Sequence, residues 1–395
     1  MRFAGLTLAG ALVATGPAAA QIPDLPGIAE GWESLSYPKL FWGPTDGLTV
    51  GWYVAQIRDF GYDDWGRRPE PYAGSIAVDG QLSTSGSRQL GLELRLPAML
   101  DGWRFQVALQ AERRARENYF GIGNDAVNEP DSVTDDRPHF FRADHRRLFV
   151  RGQVERRIVG PLRILGGFHI EGWRVDTLST ASMLARDLAA GVDPAITENT
   201  LDAAWRVGVV LDLRDDEVAP HRGALFQAIH GAADADVLGD VSYTRTTLSA
   251  AGYVPIGRRV TVAARVLGQR MGGSPPLGSV YLIEGSDRPA AGLGGAGSHR
   301  GLLDRRLLGP DKLLTNLDLR IDLFGIQNAA RFTWFGFVDT GRVFGQGDLE
   351  LTTDDMKVGA GMGLIVQIGR AGILGGSWGT GPDGLVSQFH SQWTF

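Results

Sequence analysis

Residues 292–310, GLGGAGSHRGLLDRRLLGP, gather most of the residue types in this chain that could do chemistry. Gly292, Gly294 and Gly297 spell G-x-G-x-x-G, the spacing at which backbone N–H groups cradle a pyrophosphate where a helix begins. Ser298 beside His299 brings together a hydroxyl and an imidazole, the two parts of an activated nucleophile. Arg300 is a permanent cation whose planar fork suits carboxylates and phosphates. Elsewhere the chain offers six more histidines and two acidic runs, EPDSVTDDRP (129–138) and LTTDDM (351–356).

Each chemistry needs an element to position it, and most fail on that ground. A dinucleotide fingerprint must follow a strand and open a helix, whereas Pro310 and the repeated glycines here predict a loop. Adjacent side chains on an extended segment diverge, so Ser298 and His299 make a poor nucleophile–base pair. His139, His145, His169, His221, His230, His299 and His390 show neither H-x-x-H nor H-E-x-x-H spacing. The acidic runs read as solvated loop surface. We therefore expect no catalytic residue, no metal, no cofactor and no enzymatic activity. Arg300 is left needing another explanation.

The surrounding elements supply it. Residues 1–20 carry Arg2, then a small and apolar run ending in Ala18-Ala19-Ala20, the pattern of a secretory signal peptide. Nothing after Ala20 is apolar for the ~18 residues a spanning helix needs. There is no cysteine, so no disulfide framework stabilises an exported chain. The net charge of −6 argues against a nucleic-acid partner. Basic charge is almost all arginine, with Lys39, Lys312 and Lys357 the only lysines, which suits charge held inside a structure.

Apolar and polar residues alternate with period two almost throughout. Leu90, Leu92, Leu94 and Leu96 alternate with Gly91, Glu93 and Arg95, and Trp205, Val207, Val209 and Leu211 face away from Arg206 and Asp212. The runs reach the ~9–12 residues of a tilted membrane-crossing strand, where soluble strands average ~5–6. Short connections such as 159–161, 255–258 and 369–372 take turns with long ones such as 117–143, 175–201 and 269–311. Trp42, Trp52, Trp103, Trp173, Trp334 and Trp378 suit interfacial girdles. The expectation is an all-β transmembrane antiparallel barrel of about 16 strands, with a long loop folded into the lumen. The first strand lies near 35–42 and the last over 385–395. Phe389, Trp393 and Phe395 would then share one face, an ending similar to the C-terminal assembly signal of bacterial outer-membrane barrels. The domain reading is a signal peptide at 1–20, a short periplasmic segment at 21–34 and an outer-membrane barrel at 35–395.

Four patterns resemble the bacterial surface-antigen superfamily of BamA-, TamA- and FhaC-like barrels. GGAGSHRGLLDRRLLGP looks like its loop signature, in which Arg-Gly-aromatic follows a glycine-rich lead, here through Arg300, Gly301 and Leu302. LLTNLDLRIDLF (313–324) looks like the strand after it. FGFVDTGRVF resembles the F-x-D-x-G strand through Phe337, Asp339 and Gly341, and LDLRDDEVAPHRGALF (211–226) resembles an earlier hairpin. NYFGIGNDAV (118–127) is a softer match.

The resemblance covers the barrel only, without the POTRA domains that precede it in relatives, and Leu302 stands where the family has Phe or Tyr. It implies that Arg300 enters the lumen and pairs with Asp339, or with Asp318 on the adjacent strand. Arg305 would matter less. It further implies integration in a Gram-negative outer membrane and help with insertion or translocation of polypeptide or lipid. The partners it implies are outer-membrane lipid, client polypeptides or a separate periplasmic protein, and the assembly machinery for its own insertion. The alternative is a passive pore or structural barrel.

Overall fold

The computed structural model describes residues 29–43, 45–60, 68–179, 181–192, 199–326 and 329–395. The expected leader at 1–20, and residues 21–28 of the segment after it, lie outside the described residues. Sixteen strands follow one another: β1 Glu33–Gly43, β2 Gly47–Arg58, β3 Gly74–Ser83, β4 Arg88–Leu100, β5 Trp103–Asn118, β6 Arg142–Val159, β7 Leu162–Thr177 and β8 Thr200–Asp212. The second half runs β9 Gly223–Asp234, β10 Leu238–Ile256, β11 Val260–Gly273, β12 Asp311–Ile326, β13 Ala330–Phe344, β14 Lys357–Ile368, β15 Gly372–Gly381 and β16 Gly384–His390. Each strand pairs antiparallel with the next, in one sheet ordered β1 to β16.

The period-two pattern fixes which way each residue faces. On β8, Trp205, Val207 and Val209 are exposed on the outer face, while Arg206 between them is buried on the inner one. The sheet wraps until its two edges meet, where Phe41 of β1 stacks on Phe389 of β16 with ring centroids 6.5 Å apart. Among the described residues no backbone ladder joins β1 to β16. The barrel thus has a seam made of side chains. At the short-turn end Arg370, in the β14–β15 turn, donates to the carbonyls of Arg68 and Glu70 before β3, both at 2.7 Å, and so reaches across that seam.

Both ends are stoppered from inside. At the long-loop end, the short helix α1 (Met183–Ala189) lays Leu184 on Tyr119, Trp173, Tyr281 and Leu308. Trp173 is therefore part of this apolar cap rather than of an outer girdle, because the β5–β6 and β7–β8 loops fold over it. At the short-turn end residues 213–222 bend inward. Glu217 accepts both terminal nitrogens of Arg104 at 2.5 and 2.6 Å, and Ala219 packs on Phe335 and Trp393.

The last strand differs from expectation. β16 stops at His390, and residues 391–395 leave the wall and turn into the lumen. Phe389 faces outward, but Trp393 is buried on Phe335, so Phe389, Trp393 and Phe395 do not share a face. Period two alone could not reveal this, since the lumen holds polar and aromatic partners that bury those rings equally well.

Candidate functional site in the lumen

The connection from β11 to β12 begins with α2 (Leu277–Tyr281) and returns as an arm over 292–310. The arm is a narrow two-stranded finger, closed by the bridge between Leu293 and Leu307. Its bend needs glycine at 294, where φ is +115° and a Cβ would stand 2.2 Å from the Leu303 carbonyl oxygen. Ser298 fixes the bend by accepting from Gly294 N at 2.9 Å and donating to the Gly292 carbonyl at 2.7 Å. Its hydroxyl is thus held by backbone, and His299 Nε2 faces the Lys357 carbonyl at 2.9 Å.

The tip reaches the wall at β12–β14. The β12–β13 register sets Asn316 opposite Asp339 and Asp318 opposite Phe337, with all four side chains inward. Arg300, fully buried, closes on them. Its backbone N donates to Asp339 Oδ2 at 2.7 Å, Nε to the same oxygen at 2.9 Å, and Nη2 to Asp339 Oδ1 at 2.7 Å and Asp318 Oδ1 at 2.6 Å. The guanidinium carbon lies 4.1 Å from the centroid of Phe337. Asn316 Nδ2 donates to Asp339 Oδ1 and to the Ser298 carbonyl, stitching wall to arm a second time. Burial disfavours the Arg300 cation, but Asp318 and Asp339 more than offset it and hold it charged above the ordinary arginine range.

The wall is carved to receive the tip. A Cβ on Gly301 would stand 2.7 Å from Gly359 Cα and 2.9 Å from the Thr380 carbonyl oxygen, so two backbones touch here. Gly341 leaves room for Leu293 and His299. Leu302 is buried among Leu267, Ile283, Leu293, Leu307 and Leu314. The aliphatic chain at this family-aromatic position packs between the arm and the β11–β12 wall. Its carbonyl accepts from Gln388 of β16 at 3.0 Å.

The structure thus brings Arg300, Gly301, Asp318, Phe337, Asp339 and Gly341 together, and puts Leu302 just behind them. Phe389 lies outside this cluster, and Trp393 with Phe395 lies along its edge.

Three features were not legible in the sequence. Arg305 is buried too, with Nη1 2.7 Å from Glu117 on β5, so it is no freely solvated comparator. Glu284, ahead of the arm, accepts from Arg206 at 2.6 Å and also bonds Arg151. Arg320 shares Asp318 with Arg300, its Nη2 lying 2.9 Å from Asp318 Oδ2. The first two join separate loops and strands and leave no local spacing to read; alternation alone puts Asp318 and Arg320 on one face of β12, but it does not say that Asp318 serves Arg300 as well. Only the repeated inward arginines hinted at them.

The arrangement is electrostatic and mechanical. Buried carboxylates and guanidiniums bolt an inserted loop to the wall. Comparison with known proteins agrees with that reading of the fold. The chain resembles the crystal structure of BamA from Haemophilus ducreyi lacking POTRA domains 1–3, with a TM-score of 0.55 and 12% identity, covering 91% of this chain and 69% of that one. It also resembles CdiB from Escherichia coli, with a TM-score of 0.58 and 12% identity, covering 92% of this chain and 62% of that one. No curated protein sequence matches. The Omp85 superfamily domain matches residues 172–379, from β7 to β15, and so spans the arm and the β12–β14 wall that its tip reaches. On that match, the chain belongs to the Omp85 superfamily.

Proposed function

We propose that this barrel sits in the outer membrane and assists insertion or translocation of polypeptide there, working at the seam between β1 and β16. The observation that carries the reading is the seam itself. A wall in lipid needs its backbone groups paired, yet these edges meet through a Phe41–Phe389 stack rather than a ladder. Pro38 in β1 cannot donate to one, and β16 is the shortest of the strands described. Parted edges would offer free N–H and C=O groups to a client strand. The arm, anchored at Arg300, would brace the lumen while they do so. A filled lumen weighs against a wide passive pore.

The chain has no native cysteine, so Phe41→Cys with Phe389→Cys can be joined by a short bis-thiosulfonate cross-linker, whose two disulfide bonds a thiol reductant cleaves. Expected is a barrel that folds, as judged by heat-modifiable gel mobility, but loses client assembly in a deletion strain until the link is reduced. A linked barrel that supports assembly as well as the free one would overturn the reading. Large steady single-channel currents, unchanged on deleting 292–310, would favour the pore.

A further inference from the structure

Four arginines stand side by side on the outer face of the barrel. The strand register sets Arg88 of β4 opposite Arg113 of β5, Arg113 opposite Arg146 of β6, and Arg146 opposite Arg174 of β7. All four lie toward the long-loop ends of their strands. Like charges directly opposite one another on neighbouring strands repel, and here three such pairs follow in a row.

Two carboxylates answer part of that repulsion. Asp144 accepts from Arg113 Nε at 3.0 Å and Nη2 at 2.7 Å, and from Arg146 Nη2 at 3.0 Å. Asp176, opposite Asp144, accepts from Arg174 Nε at 2.8 Å. Asp240, at the far end of this face, accepts from the Leu201 N–H at 2.7 Å. Among the described residues no hydrogen bond or ion pair reaches Arg88. Four guanidiniums therefore share two carboxylates, and nitrogens remain beyond those that hold Asp144 and Asp176.

Below the arginines the wall turns apolar at once. The next outward row is Leu90, Ala111, Leu148, Gly172 and Leu201, each opposite the one after it. Ala111 and Gly172 leave furrows between the leucines, and a Cβ on Gly172 would meet nothing within 4 Å. The two rows line an open groove of about 820 Å³. On β5 the outward residues run from Trp103 at the short-turn end, its ring 4.8 Å from the Arg156 guanidinium, up to Arg113. At ~3.4 Å per residue and ~40° of tilt that climb is roughly 25 Å, the height of the apolar band of a membrane barrel. The arginine row thus lies where headgroups begin.

An amphiphile suits both rows. Guanidinium binds phosphate through two parallel N–H bonds, and the row spreads its four over roughly 14 Å at ~4.8 Å per strand. A soluble phosphate would use the arginines and leave the furrows empty. An acidic protein surface would have to enter the bilayer to fill them.

We propose that the outer face of β4–β7 at the long-loop rim is a binding site for a lipid whose headgroup carries phosphates. Arg88, Arg113, Arg146 and Arg174 take the phosphates, and the furrows at Ala111 and Gly172 take acyl chain. Asp144 and Asp176 hold three of the guanidiniums in place. The proposal rests on the membrane placement given above, but not on the seam or on client assembly.

The test uses the full barrel in phosphatidylcholine vesicles containing diphosphoryl lipid A, its folding checked by heat-modifiable mobility and its bound lipid read by native mass spectrometry. Barrels carrying lipid A are expected. Arg88→Gln with Arg146→Gln should weaken that binding about tenfold for each cation lost, whereas Arg270→Gln, at a rim arginine of β11 outside the row, should leave it unchanged. Lipid A binding that ignores the double variant, or falls equally with Arg270→Gln, would overturn the proposal. Dimers in place of lipid adducts would assign the face to a second copy and overturn it as well. Should the double variant not fold, Arg88→Glu, at a side chain with no partner among the described residues, reads the same contact with the same outcomes. Barrels that fail to enter the vesicles would sink the membrane placement and this site together; inserted barrels indifferent to the row would sink this site alone.

Discussion

Arg300 and Arg305 lie on one arm and are bolted to different walls, and the two bolts are built differently. Arg300 meets two carboxylates on adjacent strands, β12 and β13, and its own backbone N–H joins in. Arg305 meets one, Glu117 on β5, and that carboxylate is already served by His145 and lies 3.6 Å from Arg114. Arg305 also pays in backbone conformation, with φ at +54°, a region that non-glycine residues avoid. Redundancy sits with Glu117; dependence sits with Arg300. The arm is therefore fixed at its tip and only steadied further along.

Removing each bolt should expose the asymmetry. Arg300→Ala leaves buried Asp339 without its salt-bridge partner, with only Asn316 and the backbone N–H at position 300 donating to it, while Asp318 keeps Arg320, and is expected to destabilise the barrel by about 3–5 kcal/mol. Arg305→Ala leaves Glu117 with Arg114 and the His145 ring beside it and should cost roughly 1–2 kcal/mol. Urea titration followed by heat-modifiable mobility measures both, and equal losses would erase the distinction. Next in size, Asp339→Asn should cost about 2–4 kcal/mol and Asp318→Asn less, because Asp339 alone holds the Arg300 backbone and Asn316. The reverse order would place the true anchor on β12.

Gly301→Ala forces a methyl against the Gly359 and Thr380 backbones, and about 1–3 kcal/mol of overpacking should follow. Limited proteolysis within 292–310 would report a displaced tip; an unchanged digest would mean that the wall can yield.

Acid should loosen the tip. Burial holds the His299 imidazole below its ordinary pKa, with Asp339 only partly opposing. The unfolded chain then binds more protons at His299 than the folded one, so its contribution is full at neutral pH. That contribution is lost as pH falls below the unfolded value near 6.5, by at most ~1.4 kcal/mol per pH unit. Hydrogen-exchange protection around 298–302, taken relative to the intrinsic rate at each pH, should fall between about pH 6.5 and 5, and His299→Gln should flatten that dependence. The smallest effect is at the strained bolt. Arg305→Gly should be about 1 kcal/mol less damaging than Arg305→Ala, since glycine relieves the positive φ. Identical melting of the two variants would argue that no strain is stored there.

The wall and the arm were unequally visible beforehand. Alternation located all sixteen strands, because a wall with apolar side chains on one face and polar groups on the other forces period two on every strand. Arg300, Asp339 and Asp318 were reached through a resemblance, not through spacing, since residues on three separate segments share no local pattern. The end of β16 misled for a physical reason: residues 389–395 alternate as a strand should, and only the partners waiting in the lumen decide otherwise. Arg305 looked like one more loop charge, because Glu117 is far away in sequence.

The hydrogen bonds from Arg370 to the carbonyls of Arg68 and Glu70 give the gap between first and last strands a direction. A zipper stitched at one end opens from the other. Once the Phe41–Phe389 stack has parted, widening is expected to begin at the rim bearing the long loops and travel down, with that guanidinium the last stitch to give. Spin labels at the long-loop rim would then separate before labels beside Arg370, and simultaneous separation along the whole height would show that the stitch carries no tension.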